Sequence, residues 1–190
     1  MKLVVATRNR GKFREFRQML TGHELVPLWE FSDIPDLEED GSTFRENAMG
    51  KARAVFQRTG LPTLADDSGL VVDLLDGRPG VLSARYAGDG ATDDQNLKKV
   101  LFELHTKQGT RSARYVCAMA LSLPDGSERV VEESCEGEIV SEPRGTGGFG
   151  YDPIFLIPHL GKTMAEIPPS IKNSISHRGK AIRRLNYYLS

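Results

Sequence analysis

Residues 65–69 read ADDSG. Two adjacent carboxylates, Asp66 and Asp67, end an apolar run and are followed by a hydroxyl and a glycine. A carboxylate placed in a cleft can hold a hard cation or take a proton from water. Successive strand residues point to opposite faces, so one aspartate is expected to serve the chemistry and the other the structure. Near the start, Thr7-Arg8-Asn9-Arg10-Gly11-Lys12 joins a short β-branched run to a helical pattern. Small polar side chains and backbone N–H groups at a helix N-terminus, with a lysine beside them, make a phosphate site. The GxxxxGK[ST] spacing of a P-loop is absent.

Three further stretches add donors and ligands. The acidic loop DLEEDGS carries Glu38, Glu39 and Asp40, any of which supplies the hard oxygen that Mg²⁺ prefers. GTGGFGYDPIF, residues 145–155, packs four glycines into six positions around Phe149, Gly150, Tyr151 and Asp152. Such a run lets the backbone approach a flat base, with Phe149 or Tyr151 as the stacking face. Lys172, His177 and Arg178 cluster near the end; lysine and arginine only donate, which suits oxo groups and phosphates. No His/Cys set has zinc spacing.

The elements that must position these groups follow from periodicity. KLVVAT reads as a buried strand and FREFRQML as a helix with Phe13, Phe16, Met19 and Leu20 on one face. ELVPLWEF is predicted to be a strand interrupted by Pro27. Thr43 with Glu46 forms a capping box for a helix through about Thr59. LPTLADDSGLVVDLLDG is predicted to be strand, turn, strand, with the acids on the turn. Thr92 caps a second amphipathic helix. SARYVCAMALSLPDGSERVVEESCEGEIV is the clearest hairpin, turning at PDG, and is expected to extend as a second lobe. One terminal helix is expected over about 173–189. Strands and helices interleave, so the fold class is α/β (α+β): an elongated, mixed, twisted sheet flanked by helices, with two lobes and a central cleft, in a single domain spanning 1–190.

Composition narrows the class. The chain has 190 residues, 39% hydrophobic and 27% charged, as for a globular protein with a real core. A net charge of −1 gives no global field for nucleic acid or membrane, and neither partner is expected. The longest apolar runs fall far short of a membrane span, and the N-terminus lacks a signal-peptide core. Cys117 and Cys135 are not spaced as a metal or redox motif, so a cytoplasmic setting is expected.

TRNRGK, TFRENAMGKA, LADDSGL, PGVLSARYAG, GGFGYDPIF and SHRGKA, in this order over nearly the whole chain, resemble the inosine triphosphate pyrophosphatase family. The resemblance implies hydrolysis of ITP, dITP and XTP to the monophosphate and pyrophosphate with Mg²⁺, Mn²⁺ being the alternative. It also implies a homodimer. By the same resemblance Thr7, Arg8, Asn9, Arg10, Gly11 and Lys12 bind the triphosphate, with Arg8 and Arg10 at variable positions. Asp67 is the general base and a metal neighbour, Glu39 the second metal ligand with Glu38 and Asp40 competing, and Ser68 touches substrate. Phe149, Gly150, Tyr151, Asp152, Lys172, His177 and Arg178 surround the nucleoside and phosphates. The Maf-like pyrophosphatases, which act on modified pyrimidine nucleotides, are the neighbouring reading; SHRG and GGFGYD speak against them.

Overall fold

The computed structural model describes residues 1–189. In chain order the elements are β1 (Lys2–Val5), α1 (Arg10–Met19), β2 (Glu24–Pro27), α2 (Phe44–Thr59), β3 (Thr63–Val72), α3 (Asp93–Leu104), β4 (Ser112–Ser122), β5 (Glu128–Ile139), β6 (Phe155–Ile157), β7 (Lys162–Thr163), α4 (Pro169–Ile175) and α5 (His177–Asn186). One seven-stranded sheet runs β2-β1-β3-β4-β5-β6-β7. β1 pairs in parallel with β2 and β3, whereas β5, β6 and β7 pair antiparallel. The sheet is therefore mixed, as the interleaved pattern predicts.

The chain divides into two compact units. One takes Met1–Asp67, Cys117–Glu133 and the segment from Arg178; the other takes Ser68–Val116 and Ser134–His177. In the first, α1 and α5 lay Phe16, Leu20, Ile182 and Leu185 against Leu3, Val5, Leu64 and Met119. In the same unit α2 lays Ala48, Ala52 and Val55 against Val4, Ala6, Ala65 and Ala120. Both faces of these strands are covered, which is why they read as unbroken apolar runs. The second unit gathers Leu70, Val72, Leu97, Val100, Tyr115, Phe155 and Ile157 into its own core.

Local signals set the helix starts. Asn9 caps α1 by accepting from the Lys12 N–H. Thr43 with Glu46 and Thr92 with Gln95 both form complete capping boxes, and α2 ends at Gly60 in the left-handed conformation. The PDG hairpin forms as expected, closed by Leu123 N–H donating to the Ser127 carbonyl at 3.0 Å.

Four expectations are corrected. The sequence around Asp66 and Asp67 makes no turn: β3 runs unbroken for ten residues. Aspartate and glycine are poor strand formers by propensity, but here charged partners hold both carboxylates in place, and context overrides propensity. ELVPLWEF is a four-residue strand ending at Pro27 and then a 3₁₀ turn, Leu28–Glu30. The terminal helix is two helices, because Ser176 takes an extended conformation and its N–H returns to the Lys172 carbonyl. The hairpin forms no lobe of its own; the boundary between the units crosses both of its strands.

Thr43→Ala removes the cap of α2 and should cost about 0.5–2 kcal/mol. Differential scanning calorimetry should register a fall in Tm of a few degrees, with the folded-state far-UV spectrum unchanged.

Candidate active site

The pleat of β3 decides where its two aspartates go. Leu64 packs among Phe16 and Ile182, and two residues on, Asp66 meets the same helices: Lys12 of α1 at 3.1 Å and Arg178 of α5 at 3.1 Å. Ala65 packs among Ala48 and Ala52, and two residues on, Asp67 meets α2. Its Oδ2 accepts from Asn47 Nδ2 at 2.9 Å, and Lys51 Nζ lies 3.8 Å from its Oδ1.

Lys51 ties the acidic loop to β3. The residue is only 5% exposed, and its ammonium donates to Glu39 and to the Asp66 carbonyl at 2.7 Å. Asn47 makes a second tie, accepting from Gly41 N–H at 2.8 Å while donating to Asp67. Of the three competing acids, Glu39 is the one brought to Lys51; Glu38 and Asp40 are exposed.

These surroundings drive the two carboxyls apart. Burial alone would raise the pKa of Asp66, but Lys12, Arg178 and Lys51 outweigh it and hold Asp66 well below the usual carboxylate range. Burial raises Asp67 above its ordinary value; Lys51, Lys12 and the Asn47 hydrogen bond oppose without cancelling it, and Glu39 adds to it. Lys51 is disfavoured by burial, yet Glu39, Asp66 and Asp67 together keep it charged and its pKa raised. Cys117, buried near Asp66, is pushed up to about 12 by burial and then by that carboxylate, so it is no nucleophile.

The phosphate-type loop precedes α1. Asn9 N–H donates to Thr7 Oγ1 at 3.2 Å, and Gly11 lies in the first helical turn. Arg8 and Arg10 are held by a neighbouring segment. Arg8 donates to the Ile34 carbonyl at 2.6 Å and pairs with Asp36 at 3.2 Å, and the Arg10 guanidinium lies 5.2 Å from the Trp29 ring centre. Lys12 is the loop's cation that reaches a β3 carboxylate.

The second unit holds the other predicted residues. Asp152, 3% exposed, accepts from Lys172 Nζ at 2.6 Å, Phe149 N–H at 3.0 Å and Tyr115 Oη at 3.2 Å. Lys172 lies 4.9 Å above the Phe149 ring. Gly150 N–H donates to Asp93 at the start of α3, 2.7 Å. His177 stacks on Tyr115, and Ser68 stands half-buried on β3.

The sequence-based reading of these residues changes in three ways. Tyr151 is buried and donates to the Ser83 carbonyl at 2.7 Å, so it anchors the loop and offers no stacking face, whereas Phe149 is half-buried. The glycines have a reason within the chain itself. A Cβ on Gly148 would stand 2.0 Å from Asp152 Oδ2, and one on Gly145 2.6 Å from the Ala165 backbone. Arg178 is committed to carboxylates: Nε and Nη2 donate to Asp66 at 3.3 and 3.1 Å, and Nη1 to Glu15 at 2.5 Å.

A metal fits the first constellation by its donor set. Glu39 and Asp67 converge on the one Lys51 ammonium, and among the described residues no three His, Cys, Asp or Glu side chains gather into a closed metal cluster. A pair of hard carboxylates, not a closed cage, is the protein contribution that Mg²⁺ takes.

The family model described as the Ham1 family matches residues 3–188. The chain belongs to the Ham1 family. This bears out the resemblance read from the motifs. A dITP/XTP pyrophosphatase of Geobacillus kaustophilus is 52% identical over 188 residues, covering 97% of this chain and 92% of that protein. One of Geobacter sulfurreducens is 51% identical over 191 residues, covering 99% and 96%. Among solved structures, a Ham1 protein of Coxiella burnetii superposes with a TM-score of 0.90 at 45% identity, covering 100% of this chain and 98% of that one.

For this Ham1 chain, sequence reasoning missed Asn47, Lys51, Glu15, Asp93 and Tyr115. Asn47 and Lys51 were within reach: they lie four apart behind the Thr43 cap, on the helix face that also carries the buried Ala48 and Ala52. Arg178→Ala would leave Asp66 and Glu15 with less compensation in a buried place, at a cost of about 3–5 kcal/mol. Urea unfolding should show the loss as a lower midpoint at an unchanged slope.

Proposed function

We propose that this chain hydrolyses dITP, XTP and ITP to the nucleoside monophosphate and pyrophosphate. The observation that carries the proposal is the division of labour on β3, where Asp66 is locked among cations while Asp67 faces Asn47 and Lys51 and is raised above its ordinary value by burial. The activity for which its relatives are named, dITP/XTP pyrophosphatase, agrees with it.

The first constellation carries the chemistry for the triphosphate. Lys12 and the N-terminus of α1 favour phosphate oxygens, and Asp67 takes the proton from the attacking water. Glu39 and Asp67 would hold Mg²⁺, or Mn²⁺. The bound ion would neutralise charge on the phosphates.

The second constellation carries the chemistry for the base. Phe149 offers a face for stacking, worth about 1–3 kcal/mol. Phe149 N–H and Gly150 N–H already serve Asp152 and Asp93, which moves the reading of the base to Lys172 and His177. Hypoxanthine and xanthine accept hydrogen bonds at C6, where adenine donates, and an ammonium can only donate. Each buried polar group left unpaired costs about 1–3 kcal/mol, so two of them reject ATP by about 10²-fold or more. A homodimer working in the cytoplasm, with no nucleic-acid or membrane partner, completes the proposal. Among the described residues no helix is long and apolar enough to cross a membrane.

Phosphorus NMR of ITP turnover should show IMP and pyrophosphate as first products; orthophosphate appearing first would contradict the proposal. In the same assay kcat/KM for ITP should exceed that for ATP by about 10²-fold or more.

A further inference from the structure

We propose that Tyr115 is a specificity-positioning residue, which sets the donors that meet the base by fixing Asp152 with its hydroxyl and His177 with its ring. The inference rests on the function proposed above and concerns a residue that none of its motifs contains.

Tyr115 stands on β4 and is 7% exposed. Its hydroxyl donates to Asp152 Oδ1 at 3.2 Å, while the other carboxylate oxygen, Oδ2, accepts from Lys172 and from Phe149 N–H. A carboxylate held at one oxygen presents the other in a fixed direction. Gly148 completes the fit, since only a residue without Cβ leaves room for Oδ2 where it stands. Lys172, so directed, sits over the Phe149 ring at 4.9 Å. The Tyr115 ring does separate work. It lies 4.7 Å from the His177 ring at an interplanar angle of 15°, and Phe155 backs it at 4.4 Å. One buried side chain thus reaches two polar groups assigned to the base, by two contacts that different substitutions remove. The ring plane of His177 fixes the directions of its two nitrogens, and the Asp152 rotamer fixes the direction of the Lys172 ammonium.

The test is steady-state kinetics of the full-length chain on ITP and ATP, with melting temperature measured in parallel. Tyr115→Phe keeps the ring and removes the hydroxyl. It should lower the ratio of kcat/KM for ITP over ATP about tenfold, the worth of one misdirected hydrogen bond, with the loss carried by KM for ITP. Tyr115→Leu removes the ring as well and should lower the ratio further. A merely structural role would reduce turnover of both nucleotides by one factor, or shift only the melting temperature. Tyr115→Phe with the wild-type ratio, or with equal losses on ITP and ATP, would overturn the inference alone. A wild-type enzyme that cleaved ATP as well as ITP would instead overturn the proposed function, and the inference with it.

Discussion

Asp66 and Asp67 are joined by one peptide bond and face opposite sides of β3. The pleat of an extended chain requires that, and the helices packed on each side supply what each carboxylate meets. On the side of α1 and α5, Lys12 and Arg178 grip Asp66 and keep it ionised. On the side of α2, Asn47 and Lys51 hold Asp67 more loosely, and burial wins. Two identical side chains are driven in opposite directions because of which helix each one sees, and the proposed function makes one an anchor and the other a base. A one-residue slip in the register of β3 would exchange their roles.

The same logic governs the second unit. Charges buried there are paired: Lys172 with Asp152, and Asp152 also with Tyr115 and the Phe149 N–H. Pairing keeps the cost of burial bearable and also removes freedom, so that an ammonium points one way. The glycine-rich stretch belongs to this arrangement. Its missing side chains make way for Asp152 and the Ala165 backbone, and Phe149 is left as the aromatic surface beside Lys172.

Much of this was legible in the sequence wherever the signal was local. The capping box at Thr43, the cap at Thr92, the PDG hairpin and the strand–loop–helix opening are short-range chemistry, and each forms as read. The ordered motifs identified the family and the residues to watch. What could not be read was pairing across the chain. Arg178 meets Asp66 over 112 positions and Glu15 over 163. No pattern in a single sequence shows that an arginine in a donor cluster is already bound to carboxylates, or that a DDSG stretch is pinned straight by cations. Tyr115 looked like an ordinary strand residue for the same reason.

The central claim is that the two aspartates divide structure from chemistry, and the direct measurement is to compare Asp66→Asn and Asp67→Asn by single-turnover rate and by urea unfolding of the same preparations. Asp67→Asn should slow the chemical step by about 10²-fold or more with the unfolding midpoint nearly unmoved. Asp66→Asn should lower the midpoint strongly, by about 3–5 kcal/mol of stability, because Lys12 and Arg178 lose their shared carboxylate. Equal effects of the two substitutions on rate, or a midpoint that falls with Asp67 and stays with Asp66, would contradict the account.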